Sequence, residues 1–488
     1  MHRLTTIGLR KLTHGAALSR GLPPTRMRQY TTPHNPFVLK ANELVPGIQA
    51  SEFQQRREQA VKLLPANSIL IVRAALNAAE EKYSSHDIPY DFRQDSHFLY
   101  LTGLDEPEAV AVLKKNADAT SEYILFVRPR DAHSEQWDGP RTDIHTAKSQ
   151  FLADAAYTLD EFESKLLSMI APDTHLCLTA PVQGKYPPRF LQATRSIAQT
   201  HQFQMADAHL DSLRVIKSPA EVVKIREATA IGSDAFRSVM ASCAPGQLEL
   251  ALAGHFEAKC RARGAPRNSF PCVVGAGANG SVIHYLSKRS MLQKEELVLM
   301  DSGCEITGNY VSDITRTWPI DGQFTGPQKA LYTLVLDVQL RCLERLHVAM
   351  ECKTSLSLDE LHHYSVGLLG QGMKDVGIIP ATVGLNTPEF SRLFRMYNPT
   401  HLSHYLGMDV HDTPRFPRSS PLRPGMVVTV EPGIYLPKND MTVPVEFRGI
   451  GIRIEDDVLI TDTGIEILTS RVPKSIEDLE AFIGSSAA

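Results

Sequence analysis

The chain has 488 residues, more than one usual hydrophobic core accommodates, so its length predicts two domains. Its formal net charge of −4 comes from nearly balanced acidic and basic side chains, which excludes the dedicated basic face of a nucleic-acid-binding protein. Seven cysteines without CxxC spacing favour a reducing compartment, and no apolar stretch is long enough to predict a transmembrane segment.

The first thirty residues form a distinct segment, with six basic and no acidic side chains. The first acidic residue of the chain is Glu43. Arginines spaced by apolar and hydroxyl side chains can form a basic amphipathic helix, which is typical of mitochondrial targeting segments. We therefore predict a mitochondrial presequence at residues 1–30 and a matrix location. The alternative is a disordered basic tail.

Residues 42–205 alternate between strand-like and helix-like patterns. Short apolar runs at 69–72, 109–113 and 123–127 predict strands. The segment 149–170 has helical spacing. This alternation predicts an α/β N-terminal domain over residues 42–205, and none of its residue clusters indicates catalysis.

A second domain is predicted over residues 212–485. Ser218 followed by Pro219 and Glu221 has the pattern of a capping box, which predicts a helix start. Further helices are predicted at 249–263, 328–350 and 358–371. Strand segments dominate after Cys272, so we expect an α+β arrangement here.

Two acids in this domain indicate a metal site. Asp301 ends an apolar strand, and Asp313 follows a turn formed by residues 307–309. Because residue 307 is the midpoint, a hairpin would place the two carboxylates directly opposite each other, with Cβ atoms about 5 Å apart. Such a pair can hold two hard cations, whereas the alternative of two solvated acids leaves like charges facing each other.

Two more acids lie at or near strand ends. Glu431 closes an apolar strand before a Pro-Gly turn. Glu455 alternates with apolar residues, and Arg453 lies two positions earlier on the same predicted strand face. A buried charged face needs partners, so a metal on Glu455 and a carboxylate on Arg453 would satisfy it. A structural Arg–Glu network is the alternative.

Three histidines crowd into eleven positions, at His401, His404 and His411. A lone histidine is usually structural, but a cluster beside strand-end acids favours a site. A thiol-free donor set of one imidazole and four carboxylates favours hard cations such as Mn²⁺ over a structural zinc ion.

The motifs that hold these residues closely resemble the aminopeptidase P branch of the pita-bread metallopeptidases. They are "DSGCEITGNYVSDITRTWP", "HLSHYLGMDVHD", "TVEPGIY" and "RGIGIRIEDD". "DFRQDSHFLYLTGLDEPEAV" and "EQWDGPR" are similar to the N-terminal domain of that branch, so the resemblance covers nearly the whole chain. The segment between Asp301 and Asp313 is one residue longer than in many members, which bears on the pairing register.

The resemblance implies a role for each candidate residue. The metal ligands would be Asp301, Asp313, His404, Glu431 and Glu455, with Asp313 and Glu455 bridging two divalent ions, expected to be Mn²⁺. Glu431 would also accept a proton. His284 and His411 would contact the substrate near the scissile bond, Arg453 would orient a ligand carboxylate, and His401 would line the pocket.

The implied activity is removal of one residue from peptide N-termini. Together with the predicted presequence, the wording "VSDITRTWP" favours mitochondrial members, some of which trim imported proteins after presequence cleavage. A general Xaa-Pro aminopeptidase, a prolidase and a metal-free creatinase-like hydrolase are alternatives, and a metal-free scaffold is an alternative of another class. We also expect a homodimer and a peripheral association with the inner membrane.

Overall fold

The computed structural model describes residues 39–76, 91–180, 190, 194–195 and 197–484. The predicted presequence at residues 1–30 lies outside this part. The strands are β1 (Glu43–Val45), β2 (Ile48–Gln49), β3 (Ser68–Arg73), β4 (Val110–Lys115), β5 (Ser121–Val127), β6 (Ala155–Thr158), β7 (His175–Leu178), β8 (Phe203–Met205), β9 (Arg267–Asn268), β10 (Val273–Ala276), β11 (Leu297–Ser302), β12 (Cys304–Glu305), β13 (Ile314–Pro319), β14 (Val427–Val430), β15 (Gly433–Tyr435), β16 (Gly451–Arg453), β17 (Asp456–Thr461) and β18 (Gly464–Ile467).

The α-helices lie around these strands. Their bounds are Ala50–Leu63, Ser96–Thr102, Ala132–Asp138, Ile144–Ser149, Phe162–Met169, Asp207–Arg214, Pro219–Ser242, Glu249–Ala262, Gly326–Glu351, Leu358–Asp375, Pro388–Tyr397 and Ile476–Gly484. In the part of the chain that the structure covers, no helix combines the length and apolar character needed to cross a bilayer.

The N-terminal half is built on one mixed sheet with the strand order β6-β5-β4-β3-β7-β8. The three predicted apolar strands are confirmed as β3, β4 and β5. In β3 the side chains alternate: Leu70 and Val72 belong to the large core, while Ile69 and Ile71 belong to a smaller core on the opposite face.

The single helix predicted over 149–170 is wrong. Residues Ala155–Thr158 pair in parallel with β5, so the pairing to the sheet overrides their helical spacing. Thr158 and Glu161 then form a capping box, which starts the helical turn that leads into Phe162–Met169.

The C-terminal half packs helices around several small sheets, in a mixed helix and sheet arrangement. The capping box at Ser218 is confirmed, because its hydroxyl accepts a hydrogen bond from the Glu221 N–H at 3.2 Å. The large core continues from the N-terminal half into this half. The helix Asp207–Arg214 crosses the predicted domain start at 212, and the domain limits themselves stay a prediction.

Candidate metal centre and active site

Asp301 and Asp313 come from the hairpin of β11 and β13, but in a different register from the predicted one. Asp301 pairs with Thr315, which places the midpoint at residue 308. Gly308 and Asn309 adopt φ values of 97° and 65°, and this left-handed pair sets the apex of the turn. Asp313 is therefore diagonal to Asp301, still on the same sheet face, and the two carboxyl groups interact.

His404 and Glu431 are brought together by an extended loop that runs along β14. The Glu431 N–H donates to the Leu402 carbonyl at 2.9 Å, and the Thr429 N–H donates to the His404 carbonyl at 3.0 Å. His404 Nε2 consequently lies 3.4 Å from Glu431 Oε1 and 3.4 Å from Asp313 Oδ2. The imidazole thus stands between two acids from different sheets.

Glu455 lies in the break between β16 and β17, not within one continuous strand as predicted. The Glu455 N–H donates to the Thr315 carbonyl at 3.0 Å, which holds the broken segment against β13. Alternation continues across the break, so Arg453 and Glu455 both reach Thr315: its hydroxyl donates to Glu455 Oε2 at 2.6 Å and accepts from Arg453 Nε at 2.9 Å.

Arg453 orients one acid of the cluster. Its Nη2 donates to Asp301 Oδ2, and its Nη1 donates to the Tyr435 hydroxyl at 2.6 Å. Sequence reasoning missed Thr315 and Tyr435. Thr315 lies two residues after Asp313, hence on the same strand face, and that spacing was the available signal.

The acids of the site are held in an unfavourable electrostatic environment. Burial and the neighbouring Asp301 raise the pKa of Asp313 well above its usual range. Burial and the neighbouring Asp313 do the same to the pKa of Glu455. The pKa of Glu431 rises to about 7, chiefly because of burial. The raised pKa values indicate that Arg453 does not offset all of the negative charge of these buried acids.

The cluster fits a divalent cation. Asp313, His404 and Glu455 each offer a ligand atom, and these atoms all lie within 4.8 Å of one another. Asp301 Oδ1 is buried and has no hydrogen-bond partner among the described residues. A cation would satisfy this oxygen and offset the repulsion, and an oxygen-rich donor set without thiols suits a hard ion.

A cavity of about 690 Å³ opens above the cluster. Its walls bring together all nine residues predicted for the site, namely His284, Asp301, Asp313, His401, His404, His411, Glu431, Arg453 and Glu455. Phe270, Ile283 and Leu286 form an apolar part of the wall. The cavity therefore combines charged groups at one end with room for an apolar side chain.

The three histidines outside the ligand cluster differ in their surroundings. The ring of His411 meets that of His404 edge-on at 4.5 Å, and burial together with His404 lowers the pKa of His411 to about 4. His401 stacks on His362 at 4.2 Å, and burial lowers its pKa. His284 is solvent-exposed at the cavity wall. The lowered pKa favours the uncharged form of the His411 imidazole, whose side chain is accessible from the cavity.

An ionic network, buried at Asp412 and partly exposed at Arg93 and Asp409, holds the loop of His404 and His411 in place. Asp412 accepts from Arg214 at 2.5 Å and from Lys217 at 3.1 Å. Arg93, from the N-terminal half, donates to Asp409 at 3.0 Å and to Glu305 at 2.6 Å. Both halves of the molecule therefore fix the position of this loop.

Two family signatures match the chain, "Metallopeptidase family M24" over residues 223–462 and "Aminopeptidase P, N-terminal domain" over residues 53–177. Xaa-Pro aminopeptidase 3 of Homo sapiens is 37% identical over 479 residues, which cover 96% of this chain and 92% of that protein. The chain belongs to metallopeptidase family M24.

Two further relatives specify the branch. The mitochondrial Intermediate cleaving peptidase 55 of Arabidopsis thaliana is 35% identical, over 98% of this chain and 92% of that protein. A solved structure of aminopeptidase P from Escherichia coli with the inhibitor Pro-Leu is 32% identical, with a TM-score of 0.81, covering 90% of this chain and 99% of that one. The resemblance to the aminopeptidase P branch is confirmed. The protein is a metal-dependent aminopeptidase that acts on peptides and uses divalent metal ions.

Proposed function

We propose that the protein removes a single residue from the N-termini of peptides and of imported mitochondrial proteins after presequence cleavage. The observation that carries this proposal is the under-neutralised acid cluster at the end of a cavity of about 690 Å³. The basic, acid-free first thirty residues and the mitochondrial Arabidopsis relative support a location in the mitochondrion, in the matrix.

The proposed site holds two ions, most suitably Mn²⁺. Asp301, Asp313, His404, Glu431 and Glu455 would hold the ions, with Asp313 and Glu455 shared between the two and Asp301 serving one of them. Two such ions, when bound, polarise the scissile carbonyl and lower the pKa of water. Arg453 orients Asp301 through the hydrogen bond between their side chains.

The remaining groups handle the substrate and the proton. Glu431 would accept a proton from the attacking water, because its carboxylate lines the cavity beside His404. His284 and His411 contact the substrate near the scissile bond, and His401 lines the pocket beside them. The apolar wall receives the side chain of the N-terminal residue.

A peptide panel tests this function. The purified protein should lose activity with a chelator and regain it best with Mn²⁺.

Peptides with and without proline at the second position separate the proposed activity from the second candidate, a strict Xaa-Pro aminopeptidase, which the name of the human relative favours. In cells that lack this enzyme, imported mitochondrial proteins should carry one extra N-terminal residue, which proteomics of mitochondrial N-termini detects. The same N-termini in cells with and without the enzyme would contradict the proposal.

Replacing His411 tests whether this residue contacts the substrate or binds metal. His411→Ala should lower kcat about 10²-fold, the scale of acid–base and positioning assistance, while both metal ions remain bound. Activity and metal content should be measured on the same preparation. Loss of metal would make His411 a ligand or a structural residue instead.

Assembly and membrane contact stay predictions. We propose a homodimer, which light scattering of the purified protein tests directly. Association with the matrix face of the inner membrane is tested by carbonate extraction of mitochondria.

A further inference from the structure

A second cavity, the side pocket, adjoins the catalytic one. It has a volume of about 440 Å³ and shares three lining residues with the catalytic cavity, Thr400, His401 and Arg418. The two cavities therefore meet at these residues, and the catalytic cavity also contains the metal-ligand candidates. A peptide that leaves the catalytic cavity in this direction enters the side pocket.

The floor of the side pocket is apolar. Phe390 and Phe394 lie on the inner face of the helix Pro388–Tyr397, buried, with ring centroids 5.5 Å apart. The stacked rings of His362 and His401 form one wall. Burial lowers the pKa of His362 to about 4, so this wall is uncharged at neutral pH. Such a surface accommodates the methylene groups of a side chain.

Two guanidinium groups, of Arg395 and Arg418, stand at the rim. Both side chains are exposed, and no carboxylate of the described residues lies within ion-pair distance of either one. The nearby acid, Asp359, is directed to His401 at 3.5 Å. The rim therefore carries positive charge that the protein does not neutralise, and arginine is well suited to bind a carboxylate.

We propose that the side pocket binds a carboxylate of the peptide substrate on the C-terminal side of the scissile bond. This inference rests on the proposed peptidase function and names a substrate class, peptides with an acidic group a few residues downstream. The contact is made away from the reacting atoms, so it strengthens ground-state binding and acts on KM, with kcat unchanged.

The test uses the metal-loaded enzyme and peptides that share their first two residues. Glutamate is placed in turn at positions three to six and compared with glutamine at the same position. At one of these positions the glutamate peptide should have a KM about two- to fivefold lower, the scale of an exposed ion pair. Peptides with a free or amidated C-terminus show whether the carboxylate comes from a side chain or from the chain end.

A matched pair of variants assigns the effect to the pocket. Arg395→Gln should abolish the difference between the two peptides. Arg392→Gln, an exposed arginine one turn earlier that does not line the pocket, should preserve it. Equal KM values in the wild type, or the same loss in both variants, would overturn the inference while cleavage still supports the peptidase function. Absence of cleavage of every peptide would overturn both.

Discussion

Glu455 and Asp456 are consecutive buried acids whose pKa values are shifted in opposite directions. Asp456 receives Arg316 at 2.8 Å and Lys474 at 2.5 Å, with Gln339 and Thr469 completing its hydrogen bonds, and these cations depress its pKa despite burial. Glu455, on the other face, accepts a hydrogen bond from Thr315 and forms no ion pair with a described residue. Its pKa is raised well above the usual range, chiefly by burial.

The difference teaches how a fold separates structural from functional acids. Asp456 is neutralised by its own chain, so its charge is part of the folded structure at all physiological pH values. Glu455 faces other acids, and its neutralisation has to come from outside the chain. In this pair the raised pKa belongs to the acid that lines the cavity and the lowered pKa to the acid that the chain neutralises, so burial alone does not distinguish the two.

The largest expected effect is on activity, when the acid that faces the cavity is changed. Glu455→Gln should lower kcat by about 10³-fold or more, because it removes the charge that we propose bridges the two ions. Metal content by mass spectrometry should fall in parallel. Glu466→Gln, an exposed acid paired with Arg226, is the control and should leave activity unchanged. A loss below about tenfold in Glu455→Gln would contradict the assignment.

The next largest effect is on stability, when Arg316, which pairs with Asp456, is replaced. Arg316→Met should lower the free energy of unfolding by about 3–5 kcal/mol, because it leaves Asp456 buried with part of its compensation gone. Arg226→Met, at an exposed ion pair, should cost at most about 1 kcal/mol. Calorimetry of both variants measures the difference. Equal costs would mean that burial does not distinguish the two pairs.

The smallest effect sharpens the comparison in metal-free protein. Because its pKa is raised, folded metal-free Glu455 has to hold a proton that the unfolded chain releases at neutral pH. Glutamine carries no such cost, so Glu455→Gln should raise the free energy of unfolding by about 1 kcal/mol after chelation. Asp456→Asn should lower it under the same conditions, since its cations lose their partner. Thermal unfolding with chelator gives both signs. Shifts in the same direction for the two variants would refute the proposed difference.

Local signals made much of the structure predictable. β3, β4 and β5 are apolar runs, and the helix Pro219–Ser242 begins where its capping box indicated. All nine residues predicted for the site line one cavity, and their roles stay proposals. The acids were found from their positions at or near strand ends, whereas His284 was found only through the family resemblance of its motif.

Long-range or conformational factors decided the rest. The register of Asp301 depended on the left-handed backbone at Gly308 and Asn309, which residue spacing alone did not show. Residues 155–158 joined a sheet edge despite their helical spacing, because a distant strand was available to pair with them. Arg418 lines the cavity from a loop, and no local motif in the sequence predicted this position.

The ionic network that holds the catalytic loop has a consequence for dividing or recombining this protein. Arg93 of the N-terminal half binds Glu305 and Asp409, so the half that carries the metal ligands relies on a guanidinium from the other. A gene fragment that encoded residues 212–485 alone would leave both carboxylates without this partner. Arg267 and Arg214 would still pair with Glu305 and Asp409, but the contact between the halves would be lost. A chimera of two relatives therefore has to keep Arg93 together with the acids that receive it.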